Sequence, residues 1–416
     1  MSCDSPKNYS KRGWAVRTLG KILDHAITQM LPLLLAILWP LSYFHRVITP
    51  ADSCKRVLLV ARNHVAADHM ICIHDLLKKD DRIIQFATTD RVPARDFHRG
   101  KAADVTGAKP MHMMRALLCH WDLIIFTNHP YGFGICFAPW LKKLYVNHGI
   151  HTGKINTEIA QDGVYGRGKV IRPFGTPYYN CMFAASAWEK KFAIRETPQL
   201  KGRVAVVGFL RGDIFLDYAE KHSSGLREKF GCKSDMPVVH IISTWGASSL
   251  YAICGEEIIG QVKKLSDKYQ FLVSIHPRFD DLGHGAFEAR EIILSRFEEA
   301  GARVNRGLDW EDYVAVSDIA ISDHSSLCLY HVLAGHPVIF SDVCRDNYVA
   351  GSTFDLLGQC SPKLSEYDGL DEAISDALGN DSRNNNTTIA TRILDFRGSA
   401  SEMYVQEITV LLNTPG

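Results

Sequence analysis

The sequence predicts an α/β protein with two parallel sheets, each doubly wound by helices on both faces. Three observations support this prediction. Beyond residue 50, short apolar runs alternate with helical patterns, which is typical of parallel strands joined by helices. The chain of 416 residues is long enough for two domains and a large core. A polar stretch that contains Pro198, residues 195–203, interrupts the alternation near the middle.

The apolar runs predict nine buried strands. These are residues 56–63, 82–89, 123–128 and 145–149 in the first half, and 204–210, 238–244, 271–277, 318–323 and 337–342 in the second. Helical patterns at residues 256–269 and 287–301 separate the later strands. The polar tract at residues 379–388 is expected to be a solvated loop. With the boundary at the interruption, residues 51–200 form the first domain and residues 201–416 the second.

The first 50 residues are predicted to form a membrane-association segment. Residues 26–44 carry no charge and follow a basic stretch with Lys7, Lys11, Arg12, Arg17 and Lys21. About 20 apolar residues are enough to cross a bilayer, but Pro32 and Pro40 interrupt an ideal helix. Basic residues also follow the apolar stretch, so the positive-inside rule gives no orientation. A monotopic or re-entrant segment, a true span and a soluble docking helix remain open.

Composition argues against some classes of partner. The net charge of +1 disfavours nucleic-acid binding, which needs many phosphate contacts on a basic face. The 11 cysteines show no CxxC pair and no zinc-type spacing, which favours reduced, mostly buried thiols in the cytosol. His64, His69 and His74 are widely spaced and no set of carboxylates accompanies them, so we expect no metal site.

Four polar segments follow predicted strands, at the edge where ligands of open parallel sheets collect. The first holds His148 and Gly149, and an imidazole with an ordinary pKa of about 6.5 is suited to accept a proton from a hydroxyl. A histidine at a strand end is also commonly structural. The second holds Arg211 and Asp213. Here the Arg either grips phosphate oxygens or only fixes the loop together with the Asp.

The third segment is IHPRF at residues 275–279. It places His276 and Arg278 at the end of a predicted strand, where both can offer hydrogen-bond donors to an anionic group. The alternative is an ordinary turn with an Arg that faces solvent.

The fourth segment contains Asp323, Ser325 and Ser326, just before a short predicted helix that Gly335 ends. A helix N-terminus presents unpaired backbone N–H groups and favours phosphate, and the two hydroxyls add donors. Ordinary capping by Asp323 or Ser325 would need no ligand. Capping explains one of these residues, but not the whole cluster.

Taken in chain order, these segments resemble motifs of the CDP-glycerol glycerophosphotransferase family, whose members make teichoic-acid-type and related capsular polymers. The His-Gly turn at 148–149 comes first, and GFLRGD at 208–213 stands where the family has Gly-x-Pro-Arg-x-Asp. STWGAS at 243–248 is similar to its Thr-Trp-Arg segment, and IHPRF to its His-Pro motif. DWEDYVAVSDIAISDHSS at 309–326 resembles its Asp-Leu-x-x-x-Ser-Asp-x-x-x-x-Asp-Tyr-Ser-Ser signature.

The resemblance implies a GT-B-like architecture, with two Rossmann-like domains around a cleft, at the cytoplasmic face of the cell membrane. It implies a transferase that moves glycerol phosphate, or a similar polyol phosphate, from a CDP-activated donor to a hydroxyl of a membrane-linked polymer or lipid and releases CMP. No cofactor is expected beside this donor. Matched positions make His148 the general base and His276 a donor to the nucleotide's phosphates. The other implied residues are Arg211, Asp323, Ser325 and Ser326 for the donor phosphates, with Gly149, Lys154, Asp213, Trp245 and Arg278 as further candidates.

This sequence departs from the family pattern at three positions. Leu210 replaces a Pro, Gly246 replaces the Arg after the Trp, and His324 replaces the Tyr. These changes bear on the identity of the donor more than on the type of reaction. Two alternatives remain open. One is a GT-B glycosyltransferase that uses a nucleotide sugar, and the other is a non-catalytic nucleotide-binding scaffold of a polymer-synthesis complex.

Overall fold

A computed structural model gives the architecture of most of the chain. The residues whose structure it describes are 39–45, 54–61, 64–88, 108–130, 137–147, 149–153, 165–171, 175–244, 246, 249–276, 290–307, 309–341, 348–361, 363–364 and 369–414.

The strands form two parallel sheets, as the sequence predicts. The first sheet contains β1 Lys55–Val60, β2 Ile83–Thr88, β3 Lys109–Pro110, β4 Leu123–Phe126, β5 Lys143–Val146, β6 Cys181–Ala184 and β7 Val204–Val206. The second contains β8 Val238–Ser243, β9 Gln270–Ile275, β10 Arg303–Val304, β11 Ile319–Ser322, β12 Val338–Ser341 and β13 Lys363–Leu364. Every strand pair is parallel.

Helices alternate with these strands. Their bounds are His64–Leu77, Met113–Leu118, Arg167–Val170, Ala187–Glu196, Leu210–Lys229, Leu250–Leu265, Arg290–Glu299, Trp310–Val316, Cys328–Ala334, Thr353–Cys360, Leu370–Leu378, Asn380–Ile393 and Ala400–Asn413. Several begin at a serine whose hydroxyl accepts a backbone N–H, as Ser186 and Ser352 do. The predicted stop of the helix Cys328–Ala334 is confirmed, because Gly335 adopts the left-handed conformation there with φ of 81°.

Both sheets are buried on both faces, which explains their continuous apolar runs. In β1, Leu58 and Val60 pack into one core cluster, whereas Val57 and Leu59 pack into another on the opposite face. In β8, Val239 and Ile241 lie in one cluster, and Ile242 lies in a different one. The doubly wound architecture is therefore confirmed.

The order of strands places a switch point in each sheet. The first sheet has the order β3-β2-β1-β4-β5-β6-β7 and the second β10-β9-β8-β11-β12-β13. In each, the chain starts at a central strand, runs to one edge and then crosses to the other side. Ligands of such sheets bind beyond the carboxyl ends of the strands beside this crossing. The crossings lie between β1 and β4 and between β8 and β11.

Two predicted boundaries need correction. The run at 204–210 was assigned to the second domain, but β7 pairs with β6 and completes the first sheet. The C-terminal helix Ala400–Asn413 also packs on the first sheet, where Tyr404 lies edge-on to Phe183 with ring centroids 4.9 Å apart. The second domain is thus bounded by elements that return to the first, an arrangement that local polarity cannot reveal.

Two local predictions were also wrong. The strand predicted at 145–149 is β5 Lys143–Val146, because the buried Lys143 joins it by donating from Nζ to the carbonyls of Ala138 (2.5 Å) and Leu141 (2.8 Å). The tract expected to be a loop at 379–388 belongs mostly to the helix Asn380–Ile393. The buried Ile389 and Ile393 anchor this helix in a core cluster, so tertiary packing overrides weak helix propensity.

The two halves meet through an apolar contact. Ile150, Ala185 and Phe209 from the first half pack in one cluster with Leu329 and Phe354 from the second. Residues 149–153 after β5 and residues 349–354 after β12 take part in this contact, so the carboxyl edges of the two sheets lie next to each other.

Most of the predicted membrane-association segment lies outside the described residues. Residues 39–45 are helical, and Trp39 and Tyr43 contact Trp140 edge-on at centroid distances of 6.1 and 6.0 Å. Leu41 and Phe44 are 49% and 61% exposed. Among the residues that the structure describes, no helix combines the length and hydrophobicity needed to cross a membrane.

Candidate active site

Asp323 organises the carboxyl edge of the second sheet. It is fully buried at the end of β11, where its carboxylate accepts the backbone N–H groups of Thr244 (2.9 Å) and Leu250 (2.8 Å). Ser243 Oγ donates to the same carboxylate at 3.4 Å. Asp323 therefore ties the end of β8 to the start of the helix Leu250–Leu265, across the switch point, and does not act as the cap of its own helix.

His276 lies on the other side of the carboxyl end of β8. It follows β9, its backbone N–H donates to the carbonyl of Ser243 at 3.0 Å, and the residue is half-buried. Because β8 lies between β9 and β11, His276 and Asp323 flank the end of β8 from opposite sides. The structure thus brings together two residues that are 47 positions apart in the sequence.

The two serines form the turn that leads into the helix Cys328–Ala334. The carbonyls of Ser325 and Ser326 accept the backbone N–H groups of Cys328 and Leu329, both at 3.2 Å. Ser325 is 8% exposed and its Oγ accepts the backbone N–H of Leu327 at 3.4 Å, whereas Ser326 is exposed. The turn therefore presents one buried and one accessible hydroxyl beside Asp323.

The edge of the first sheet holds Gly149 and a small cavity. The cavity lies at the carboxyl ends of β5, β6 and β7, and Asn147, Gly149 and Glu189 are among the residues that line it. Glu189 is 3% exposed, and burial raises the pKa of its carboxyl to about 7. Tyr165 Oη and the backbone N–H of Ala185 donate to the two carboxyl oxygens, each at 2.6 Å.

The segment 149–153 connects this edge with the second half. The carbonyl of Thr152 accepts the N–H of Phe354 at 3.2 Å, and the carbonyl of Gly153 accepts the N–H of Val349 at 2.9 Å. Gly153 has φ of +74°, and a Cβ there would lie 2.0 Å from Cβ of Ser352. Only glycine allows this close approach.

Arg211 is engaged within the protein. Its guanidinium donates to Glu311 and lies 5.5 Å from the ring centroid of Trp310. Burial raises the pKa of the Glu311 carboxyl, and Arg211 opposes this shift. The interpretation that this residue fixes local structure accounts for its contacts, and none of them involves the cluster around Asp323.

Asp213 is likewise a structural group. Its carboxylate accepts the backbone N–H groups of Gly398 (2.8 Å) and Ala400 (3.0 Å) at the start of the C-terminal helix. It therefore joins the helix Leu210–Lys229 to the helix that returns to the first sheet.

Four predicted site residues lie outside the described part of the chain. They are His148, Lys154, Trp245 and Arg278. The two neighbours of His148 in the chain, Asn147 and Gly149, are described, and both line the cavity. Within the described ranges, no group of three or more His, Cys, Asp or Glu side chains is placed to hold a metal ion.

Sequence reasoning missed Glu189, Tyr165 and Glu311. The spacing of Ser186 and Glu189 is that of a capping box, and Ser186 Oγ does accept the N–H of Glu189 at 3.1 Å. That spacing could have marked Glu189 as a helix-start residue. No local pattern shows that Tyr165, 24 positions earlier, reaches the same carboxyl.

Two Rossmann-like sheets with adjoining carboxyl edges define a GT-B-like α/β protein. The family model described as CDP-glycerol:poly(glycerophosphate) glycerophosphotransferase matches residues 122–392, well over half of the chain. The chain belongs to this family and is a glycerophosphotransferase that uses CDP-glycerol. A comparison with curated proteins finds no match.

Solved structures share the fold. The wall teichoic acid polymerase TagF is 13% identical with a TM-score of 0.61, over 98% of this chain and 100% of that chain. A structure of S. aureus MnaA with UDP is 13% identical with a TM-score of 0.60, over 86% of this chain and 97% of that chain. UDP-GlcNAc 2-epimerase from Neisseria meningitidis is 14% identical with a TM-score of 0.55, over 85% of this chain and 100% of that chain.

Proposed function

We propose that this enzyme moves glycerol phosphate from CDP-glycerol, or a similar CDP-polyol, to a hydroxyl of a membrane-linked polymer or lipid and releases CMP. Family membership supports the donor, and a TagF variant soaked with CDPG shares the fold. The observation that carries the proposal is the convergence of His276, Asp323, Ser325 and Ser326 at the switch point of the second sheet.

The reaction is a displacement at phosphorus. The acceptor oxygen attacks the β-phosphorus of the donor and forms the new P–O bond. The anhydride bond to the α-phosphate breaks, and CMP leaves with the electron pair. His148 takes the proton of the acceptor hydroxyl, an assignment that rests on the His-Gly turn shared with the family. A positioned general base typically contributes about 10²–10⁴ to the rate.

The donor's diphosphate is assigned to the edge of the second sheet. His276 and the hydroxyls of Ser325 and Ser326 offer donors to phosphate oxygens there. Asp323 acts by keeping the loop after β8 in place. Arg211 and Asp213 are left out of this assignment because both are bonded within the fold. Lys154, Trp245 and Arg278 remain candidate contacts on the resemblance alone.

Imidazole, hydroxyl and backbone donors supply the charge stabilisation in this scheme, so we propose that no cofactor takes part. A chelator is then expected to leave CMP release unchanged. Loss of activity on chelation, with recovery on adding back one divalent metal, would contradict this part.

The acceptor is proposed to lie at the cytoplasmic face of the cell membrane. The uncharged stretch 26–44 and the exposed Leu41 and Phe44 at its end support this location. Flotation of the full chain with anionic vesicles tests it. A Leu41→Ser/Phe44→Ser variant that still floats like the parent would argue against a contribution of these two side chains.

A nucleotide sugar is the second candidate donor, because two structures with this fold are described with UDP or UDP-GlcNAc. Isothermal titration with CDP-glycerol, CDP-ribitol and UDP-sugars separates the candidates. We expect binding of a CDP-polyol and release of CMP when a lipid-linked acceptor is added. Binding of UDP-sugars without any response to CDP compounds would reverse the choice. Binding of a CDP-polyol without CMP release, over several acceptors, would favour a non-catalytic scaffold.

A further inference from the structure

We infer that Tyr165 and Glu189 are positioning residues that hold the segment 149–153 for the reaction. The inference rests on the proposed function, since the residue assigned as general base directly precedes this segment.

His151 is the side chain by which the segment enters the first domain. It is fully buried, and neither ring nitrogen makes a hydrogen bond to the part of the chain that the structure describes. Burial lowers the pKa of His151 to about 3, so the ring is neutral at physiological pH. Its ring packs against Tyr165 and Phe192 with centroid distances of 4.9 and 4.6 Å. Ring packing, not hydrogen bonding, therefore sets the position of His151.

Tyr165 is in turn held at both ends. Its hydroxyl donates to Glu189 at 2.6 Å, and its backbone carbonyl accepts Oγ1 of Thr197 at 2.7 Å. Burial excludes water from the hydroxyl, so Glu189 determines the rotation of the phenol ring. Because that ring is one wall of the His151 site, the Glu189 carboxyl acts on the segment through Tyr165.

Glu189 also lies near the start of the segment. It lines the same small cavity as Gly149, at the carboxyl ends of β5 and β6. The simpler interpretation is a capping-box Glu at a helix start, and the bond between Ser186 and the N–H of Glu189 fits it. A cap alone does not require a buried tyrosine hydroxyl on the carboxyl, and it does not connect Glu189 with the segment 149–153.

The test removes only the hydroxyl of Tyr165. In Tyr165→Phe the ring stays available to His151, but its link to Glu189 is lost. The matched control is Tyr269→Phe. Tyr269 is also buried, lies just before β9 at the amino edge of the second sheet, and loses its hydrogen bond to Asp371 (2.7 Å) in this variant. A positioning error near 1 Å can cost on the order of 10²-fold in rate. We expect kcat of Tyr165→Phe to fall about tenfold to a hundredfold, with the KM for CDP-glycerol unchanged.

The control is expected to keep the wild-type kcat. If both variants show the same kcat, the inference is wrong. A fall in kcat with a matching rise in the KM for CDP-glycerol would also overturn it, because the first sheet would then act on donor binding.

Hydrogen exchange separates this inference from the proposed function. If the wild type releases no CMP with any donor, the proposed function fails, but the support of the segment can still be measured. Amides of residues 150–153 are expected to exchange faster in Tyr165→Phe than in Tyr269→Phe. Equal exchange rates would show that Tyr165 does not hold the segment.

Discussion

The two carboxyl edges that meet between the sheets are held in different ways. The edge of the second sheet is fixed by hydrogen bonds from the β8 loop to one buried carboxylate, Asp323. The edge of the first sheet is fixed by a hydrogen bond from Tyr165 to Glu189, by ring packing of Tyr165 against His151, and by two backbone bonds to the other half. The phosphate site proposed at the second edge needs fixed geometry, whereas the segment 149–153 at the domain contact can respond to how the domains meet.

The largest expected effect is on turnover, from the two histidines assigned to opposite edges. His148→Ala removes the general base, and we expect turnover to fall about 10²–10⁴-fold. His276→Ala removes one charge-stabilising donor, for which a fall of about 10²–10³-fold is typical.

The melting temperature of both variants is expected to stay within a few degrees of the parent. The exposed His222 provides the control, as His222→Ala should keep full activity. Turnover at the parent level would remove the substituted histidine from the mechanism.

Asp323→Ala is expected to give the largest loss of stability. It leaves the buried N–H groups of Thr244 and Leu250 without their acceptor, and each such loss costs about 1–3 kcal/mol. Urea unfolding should therefore show a decrease of about 2–6 kcal/mol, together with weaker binding of CDP-glycerol. The control is Asp371→Ala, whose carboxylate is partly exposed. Equal decreases in the two variants would mean that Asp323 does not organise the loop.

Glu189 is expected to make stability depend on pH at the first edge. Burial raises its pKa from 4.5 to about 7, so the folded protein binds a proton between these values that the unfolded chain has released. The free energy of unfolding thus decreases as pH rises from 4.5 to 7, by about 3 kcal/mol in total, and levels off above. In Glu189→Gln this contribution is absent. Urea unfolding at several pH values gives the free energy of unfolding of the parent and of Glu189→Gln. The parent value minus the variant value should decrease as pH rises from 4.5 to 7, and a difference that does not change with pH would contradict the prediction.

Gly153→Ala tests the contact between the two edges. The added Cβ would lie 2.0 Å from Cβ of Ser352. Gly202 also has positive φ, but nothing lies within 4 Å of an added Cβ, so Gly202→Ala isolates the backbone cost of about 1–2 kcal/mol. We expect Gly153→Ala to lose about 1–3 kcal/mol more than the control and to lower turnover. If both variants unfold alike, the contact contributes nothing.

The smallest effect is expected for Arg211→Lys. Its bond to Glu311 is part of the fold, so the Kd of CDP-glycerol should stay within about twofold of the parent. A hydrogen bond to a charged group is worth about 1.5–3 kcal/mol, so a guanidinium that held the diphosphate would raise the Kd more than tenfold when replaced. Such a rise in titration calorimetry would return Arg211 to the donor site.

The sequence predicted more of the fold than of the candidate site. Continuous apolar runs such as β8 identify buried parallel strands, and Gly335 marks the end of a helix, because both signals are local. The four-residue β6 was missed although β4 has the same length and was found, so strand length alone does not explain the miss. The prediction of a loop at 379–388 was wrong because the helix there is anchored by Ile389 and by packing against elements distant in the sequence.

Local signals also located part of the candidate site, whereas contacts between distant parts of the chain stayed hidden. The spacing of polar residues after strands located His276, Asp323 and the serines, since carboxyl ends of parallel strands share one edge. The acceptor role of Asp323 toward Thr244 needs strands 79 positions apart to be neighbours, and the sequence does not show which strands pair. The pairing of Arg211 with Glu311, 100 positions later, is hidden for the same reason.

We propose that the donor's diphosphate binds at the carboxyl edge of the second sheet. This can be examined in a crystal structure of His148→Ala with CDP-glycerol, since turnover is expected to be slow in this variant. We expect phosphate oxygens within about 3 Å of the His276 ring and of at least one hydroxyl of Ser325 and Ser326. A diphosphate bound at the first sheet, or on Arg211 with the Glu311 pair broken, would contradict it.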